Sequence, residues 1–372
     1  MSRQHKVVHV TCVHRVRDPR IFEKECRSLA AQGHDVVLVA PHDRDEMISG
    51  VRIRAIPKAP NRPIRMLLSS WRALYAALTE RGDVYHLHDP ELLMPFQIAR
   101  LGRAPIIFDM HENLPKAIVA KDWISAPLRP FVARIARALQ RLFLGKIPVI
   151  FAENSYQKDY PWIKRWATVL NYPTLDILSP SSSRPDSSRI AYLGSITPQR
   201  GLNVTLEALR QLSLEGRRVT WELIGGVNPD HADFIRAFAK ENDLTVNLHG
   251  YLPLETACPI VSQCSLGLAL LQPLPNYVDS YPTKIFDYMA MGLPVLCSDF
   301  PLYRRVVDDA QCGRWVDPTR PDLVARAIAD LLDRPEEASR MGARGLAAVR
   351  HKYDWESQAL RLLDFYGQIL PQ

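Results

Sequence analysis

Short apolar runs rich in β-branched residues alternate with segments of helical spacing along the whole chain, and the series starts afresh near its middle. Runs this short suit strands buried on both faces, as in a parallel sheet, better than buried helices. Lys6–Val13 is the first such run. Asp18 and Pro19 then mark a helix start, because Asp accepts from the free N–H groups of a first turn and Pro suits its first position. Ile21, Phe22, Cys26, Leu29 and Ala30 keep one apolar face, Gly33 ends the helix, and Asp35–Ala40 is the next strand. That is a βαβ unit. Further strands are expected at Val51–Ile56, Asp83–Leu87, Pro105–Asp109 and Pro148–Ala152, with helices including Met66–Arg81 and Pro127–Phe143 between them. Residues 177–188, rich in Ser and Pro, have little to bury and read as a linker. The second series has strands at Arg189–Leu193, Val219–Ile224, Val246–His249, Ser265–Leu270 and Pro294–Cys297. Its helices fall at Leu202–Leu214, Asp233–Glu241, Thr283–Met291 and Pro321–Asp333. The pattern predicts an α/β protein of two doubly wound domains, residues 1–176 and 189–354. Ligands of such sheets bind beyond the carboxyl ends of the strands, so two facing sites across a cleft are expected.

The formal charge of +7 is unevenly spread. Residues 1–172 hold 27 Lys+Arg against 16 Asp+Glu, and the remainder 20 against 24. A basic first half points to an anionic partner. Membrane headgroups or a lipid phosphate fit; nucleic acid is not expected, because no aromatic-plus-basic cluster accompanies the charge. Ala126–Ile147 reads as a basic amphipathic helix, either a membrane-surface contact or an ordinary helix with a solvated charged face. No run of about 18 apolar residues is present. Met1–Lys6 leads straight into a strand without the apolar stretch of a signal peptide. A cytoplasmic place is therefore expected, with a peripheral position on the inner face of the cell membrane as the variant. Cys12, Cys26, Cys258, Cys264, Cys297 and Cys312 form no Cys-x-x-Cys pair and sit mostly in apolar segments, as buried reduced thiols do.

The stretch from Asn276 to Val295 carries the most chemistry. Asp279 and Asp287 bracket a loop with Ser280, Tyr281 and Pro282, and a helix begins near Thr283. A helix start offers free N–H groups and a positive dipole end to a phosphate. Lys284 adds a full charge in the first turn, and Asp287 follows one turn on, on the same face. Such a set suits a diphosphate at the helix start and sugar hydroxyls on a carboxylate.

These residues resemble the retaining glycosyltransferase family 4, of GT-B fold. That family has two acids separated by seven residues, and Asp279 and Asp287 stand at those positions; Tyr288-Met-Ala-Met-Gly-Leu-Pro-Val295 matches the continuation. The resemblance spans nearly the whole chain. It implies that Asp279 contacts the donor sugar, that Asp287 holds the ribose hydroxyls, and that Ser280, Tyr281, Pro282, Thr283 and Lys284 surround the diphosphate. Tyr192-Leu-Gly-Ser-Ile-Thr-Pro-Gln-Arg-Gly201 resembles the opening loop of the donor domain. There Gly194 is kept, Arg200 takes the place of the family's Lys, and Ser195 replaces an Arg, which removes one bidentate phosphate contact. Lys284 is expected to compensate. The segments around Gly226 and Gly250 resemble those beside the nucleotide base. The family's closing helix, which returns to the first domain, corresponds to 355–372.

In the first domain the resemblance places His111, in Phe108-Asp-Met-His-Glu-Asn113, near the transferred sugar. The loop Val13–Arg20 departs from the family's glycine pair and brings Arg17, Asp18 and Arg20 to the cleft as acceptor-side candidates, with His88 and Asp89. His86 and His88, with Asp109 and His111, also have the residue types of a metal site, and a metal-dependent hydrolase is the rival they suggest. The donor-domain motifs have no place in it. The GT-B resemblance implies no metal and no cofactor beyond the nucleotide sugar itself. The reading is transfer of a sugar from a UDP- or GDP-linked donor to a hydroxyl acceptor, a glycan or lipid-linked saccharide, with retention. His111 and Asp279 then serve by position and charge, and no protein nucleophile is assigned. Alternatives are a binding protein of this fold without turnover, suggested by Ser195, and a sugar-nucleotide epimerase.

Overall fold

The computed structural model describes residues 4–61, 64–98, 104–119, 124–176, 178 and 186–370. The chain forms two compact units, residues 1–171 with 355–372, and residues 172–354. Of the expected linker, residues 177 and 179–185 lie outside the described residues, and Asp186 to Ser188 already belong to a strand.

The first unit is built on an eight-stranded sheet: β1 (Lys6–Val10), β2 (Asp35–Pro41), β3 (Glu46–Ile48), β4 (Val51–Ile56), β5 (Val84–Leu87), β6 (Ile106–Met110), β7 (Val149–Phe151) and β8 (Trp166–Thr168). The order is β3-β4-β2-β1-β5-β6-β7-β8, parallel except for the β3–β4 edge. Side chains alternate across the sheet, and both faces are covered. Val8, Val10, Tyr85, Leu87 and Phe108 meet one apolar layer; Val7, Val36, Leu38, Val84 and Ile107 meet the other. The second layer is filled by α1 and by the C-terminal helix Trp355–Gly367, through Trp355, Leu362, Phe365 and Tyr366. Helix α1 is π-type over Ile21–Cys26 and α-type over Arg27–Ala31. The first layer carries α2 (Ser70–Thr79), α3 (Leu93–Ile98), α4 (Leu114–Val119) and α5 (Arg129–Leu144).

The second unit has a parallel sheet of β9 (Asp186–Leu193), β10 (Thr220–Ile224), β11 (Thr245–Gly250), β12 (Cys264–Ala269), β13 (Val295–Ser298) and β14 (Gly313–Val316), in the order β11-β10-β9-β12-β13-β14. Its helices are α6 (Leu202–Leu214), α7 (Pro229–Glu241), α8 (Leu254–Val261), α9 (Thr283–Ala290), α10 (Pro301–Ala310), α11 (Pro321–Leu332) and α12 (Pro335–Lys352). In each sheet the winding reverses beside the first strand, at β1/β5 and at β9/β12. That reversal leaves a crevice at the strand ends. All six cysteines are buried and outside any disulfide.

Candidate functional site

The second unit's crevice opens where β9 runs into Gly194 and Ser195. Strand ends here must approach closely: a Cβ on Gly225 would lie 1.9 Å from the Gly194 carbonyl oxygen, with Gly225 at φ +153°. Gly201, at φ +93°, starts α6, and a Cβ there would lie 2.2 Å from the Leu270 oxygen. Only glycine fits either place. Gly194 N donates to the Ile224 carbonyl, Ile196 N to Gly226 and Gly225 N to Gly250, so the expected base-side glycines form one stepped edge.

Two cations converge on that edge. A Cβ on Gly194 would sit 3.6 Å from Lys284 Nζ and 3.7 Å from Arg200 Nη1. Lys284, in the first turn of α9, is buried, and its Nζ has no hydrogen-bond partner. It stands 3.8 Å from the centre of the Tyr192 ring. Burial, and then Arg200, push its pKa well down, with Asp287 acting in the opposite sense. A helix start, two cations and close-packed backbone make a site for a multiply charged anion.

Helix α9 is aimed by Tyr288. Its hydroxyl accepts from Leu193 N at 2.8 Å and donates to the Leu268 oxygen at 3.1 Å. Gly267 admits the ring, since a Cβ there would lie 2.3 Å from it. Asp287 is half-buried on the same helix, and Asp279 is exposed just beyond the helical turn Pro275–Val278. Ser280 donates its hydroxyl to the Asn276 oxygen, Tyr281 packs on Phe286, Pro282 is buried and Thr283 is exposed. Ser195 is exposed, and its carbonyl accepts from Tyr192. Tyr192 and Tyr288 escaped the sequence reading as site residues, although both lie inside the stretches that it singled out.

The first unit's crevice, at β1/β5, holds a polar cluster. Asp89, buried, accepts from Thr11 Oγ1 at 2.8 Å and from Cys12 N at 2.6 Å, which fastens the loop after β1. Asp18 accepts from Arg20 N and Ile21 N at the start of α1, and His14 Nδ1 lies 3.1 Å from it. Burial alone would raise the Asp18 pKa, but His14 and the backbone hold it well below the usual range. Arg20 is buried and gives Nε and Nη2 to the two oxygens of Asp109, both at 2.8 Å, and Nη1 to the Val169 oxygen. Arg17 is exposed, 3.5 Å from Glu23. His111 Nε2 lies 2.7 Å from Asp109 Oδ2 and 3.3 Å from His88 Nδ1. With Asp109 anionic, Nε2 carries the proton and Nδ1 faces away from that bond.

Beneath this group, His9 Nδ1 is 2.9 Å from His88 Nε2, and His86 Nδ1 is 2.7 Å from the Tyr366 hydroxyl. Burial pushes His9 and His86 well down and His88 to about 4, so all three imidazoles are neutral at pH 7. His9, Glu25, His86 and His88, and separately His88, Asp109 and His111, bring metal-ligating atoms within 4.8 Å of one another. Arg20 stands 3.1 Å from Glu25 and pairs with Asp109, so a fixed guanidinium already supplies the positive charge a cation would bring to either set. His9, Glu25 and Tyr366 were not foreseen as part of this cluster; nothing in their local sequence marks it.

Two family descriptions match the chain: "Glycosyl transferase 4-like domain" over residues 20–160 and "Glycosyl transferases group 1" over residues 176–347. Among curated relatives, the MMP alpha-(1->4)-mannosyltransferase of Mycolicibacterium hassiacum is 23% identical, with 92% of each chain covered. The phosphatidyl-myo-inositol mannosyltransferase of Mycobacterium tuberculosis is 25% identical, covering 92% of this chain and 90% of its own. Among solved structures, sucrose-phosphate synthase of Thermosynechococcus elongatus superposes with a TM-score of 0.77 at 18% identity, over 98% of this chain and 99% of its own. HepE of Anabaena, solved in complex with UDP-glucose, gives 0.74 at 13%, over 98% and 100%. These two likenesses show the fold, GT-B.

Proposed function

Since the chain belongs to the family 4 glycosyltransferases (group 1), retaining enzymes that draw on nucleotide-sugar donors, we propose that it moves a hexosyl group from a UDP- or GDP-linked donor to a hydroxyl of a glycan or lipid-linked saccharide. The observation that carries this reading is the buried Lys284 Nζ without a hydrogen-bond partner, beside Arg200 at the Gly194 edge. A buried cation without an anion is costly, and a diphosphate supplies the anion.

In this reading the diphosphate lies between Gly194, Arg200, Lys284 and the start of α9, and Asp287 takes the ribose hydroxyls. Asp279 and His111 serve the transferred sugar, and the backbone at Gly226 and Gly250 receives the base. As the anomeric bond breaks, negative charge grows on the leaving diphosphate, where two fixed cations and a helix start stabilise it. The acceptor hydroxyl attacks the anomeric carbon on the face the diphosphate leaves, and its proton passes to a departing phosphate oxygen, which retains the configuration. Ser195 gives up the charge that the family's Arg brings; Lys284, whose Nζ stands beside Gly194, restores it. His88, Asp89, Asp18 and Arg17 belong to the acceptor-side unit, Asp89 and Asp18 by shaping the loop after β1. A lipid-linked acceptor, suggested by the named activity of the M. tuberculosis relative, sets the reaction at a membrane surface, on its cytoplasmic side.

The experiment is incubation with UDP- and GDP-hexoses, mannose first, in the presence of lipid-linked and soluble glycan acceptors, with the product followed by NMR. A glycoside of retained configuration, one nucleoside diphosphate released per transfer, is the expected result. Inverted product, or conversion of the donor sugar to an epimer without acceptor, would overturn it.

A further inference from the structure

Helix α5 presents its apolar residues to solvent. Leu128, just before it, and Phe131, Ile135, Leu139 and Leu142 follow a 3-4-4-3 spacing, which sets them in one row along a helix. All five are between 44% and 73% exposed. The helix is held to its unit by a different sector, where Gln140 and Leu144 are buried. Arg134, Arg137 and Arg141, spaced three and four apart and all exposed, form a third row beside the apolar one. No acidic residue occurs from residue 123 to residue 152.

The row does not stand alone. Helix α2 packs on α3, and α3 on α5. On α2, Trp71, Tyr75 and Leu78 are exposed; on α3, Met94 and Ile98 are. One helical layer of the first unit thus carries exposed aromatic and aliphatic side chains on three neighbouring helices. A soluble protein seldom leaves so much apolar surface together without a partner. None of these helices is long and apolar enough to cross a membrane.

We propose that this layer is a docking face for an anionic lipid bilayer. Phe131, Ile135, Leu139 and Leu142 enter the interfacial region, and Arg134, Arg137 and Arg141 meet headgroup phosphates beside them. The charge decides between occupants. A second copy of the chain would bring the same arginine row against itself, whereas an anionic surface complements it, and the basic balance of residues 1–172 favours the same partner. The face holds the first unit at the surface where a lipid-linked acceptor resides. Its geometry is independent of the donor site, so vesicle binding and donor binding fail separately.

The test is sedimentation of the full chain with vesicles of phosphatidylcholine, alone or mixed with phosphatidylglycerol. Binding to the mixed vesicles only, weakened by salt, is expected. The Arg134→Gln/Arg141→Gln variant should lose about thirtyfold in affinity, at about fivefold per charge near the surface. The Phe131→Gln/Leu139→Gln/Leu142→Gln variant should lose binding altogether, with its melting temperature and donor affinity unchanged. Equal binding to neutral vesicles, no binding to either, or a dimer that dissociates in the triple variant would each overturn the proposal.

Discussion

Replacing Lys284 by Met should make the protein more stable and a poorer enzyme at once. The side chains are of similar length, so the space beside the Tyr192 ring stays filled. In the free protein the ammonium is buried 3.8 Å from that ring, has no hydrogen-bond partner and has Arg200 nearby. Its pKa is therefore depressed relative to the unfolded chain, which means folding opposes its protonation. A lysine of this kind costs stability at pH values below its unfolded pKa, and the cost shrinks as pH rises from its folded pKa towards the unfolded one. Exchange of buried charge for apolar volume stabilises by about 1–4 kcal/mol in comparable cases. At about 2–4 °C per kcal/mol for a unit of this size, the melting temperature should rise by several degrees. Donor binding should move the other way, since removing one partner of a buried charge contact costs about 2–5 kcal/mol, about thirtyfold to several thousandfold in Kd. Differential scanning calorimetry of wild type and Lys284→Met, with and without nucleoside diphosphate, reads both effects. The wild type should gain far more from the ligand than the variant. A variant that melts at or below wild type and binds diphosphate as tightly would mean that Lys284 is neither a buried cost to folding nor a diphosphate contact.

Three further outcomes are expected. Donor binding should take up a proton, because the diphosphate raises the depressed Lys284 pKa; titration in buffers of different ionisation heat should show the uptake, and affinity should fall as pH rises through the free-protein pKa. Asp109→Asn leaves the buried Arg20 without its bidentate partner and should cost about 3–5 kcal/mol in denaturant unfolding, while an Arg20→Met/Asp109→Asn pair should recover part of it. Gly225→Ala sets a methyl 1.9 Å from the Gly194 oxygen; the strand ends must part, so donor affinity should drop about tenfold or more, while the first unit keeps its hydrogen-exchange protection.

The fold was legible because both sheets are parallel but for the β3–β4 edge and are covered on both faces, so strands such as β1, β2 and β13 are short, mostly apolar runs that suit buried strands better than helices. The short edge strands were not. Glu46–Ile48, Trp166–Thr168 and Gly313–Val316 are partly exposed and carry no clear period. Strand ends also shifted: Lys6–Val13 was expected to continue to Val13, but the strand stops at Val10 because Asp89 draws Cys12 N and Val13 N into a loop. In the second unit, the Lys284 region was legible because its residues are close in sequence and a helix start has a local signature. The first unit's cluster was less so. Arg20 looked like a loop cation but is consumed by Asp109, 89 residues away, and His86 meets Tyr366 across 280 residues. Pairs so distant leave no period and no motif: the winding of the first sheet brings Arg20 to Asp109 on β6, and the return of the last helix to that sheet brings Tyr366 to His86.

In the proposed reaction the second unit holds a nucleoside diphosphate sugar at the Gly194–Lys284 edge. Isothermal titration of the wild type and of Asp287→Ala with UDP, GDP, ADP and their hexose conjugates tests it most directly. One nucleotide should bind tightly and in equal measure with chelator present, and Asp287→Ala should lose most of that affinity. Binding to none of them, or binding that Asp287→Ala and Lys284→Met leave intact, would contradict it.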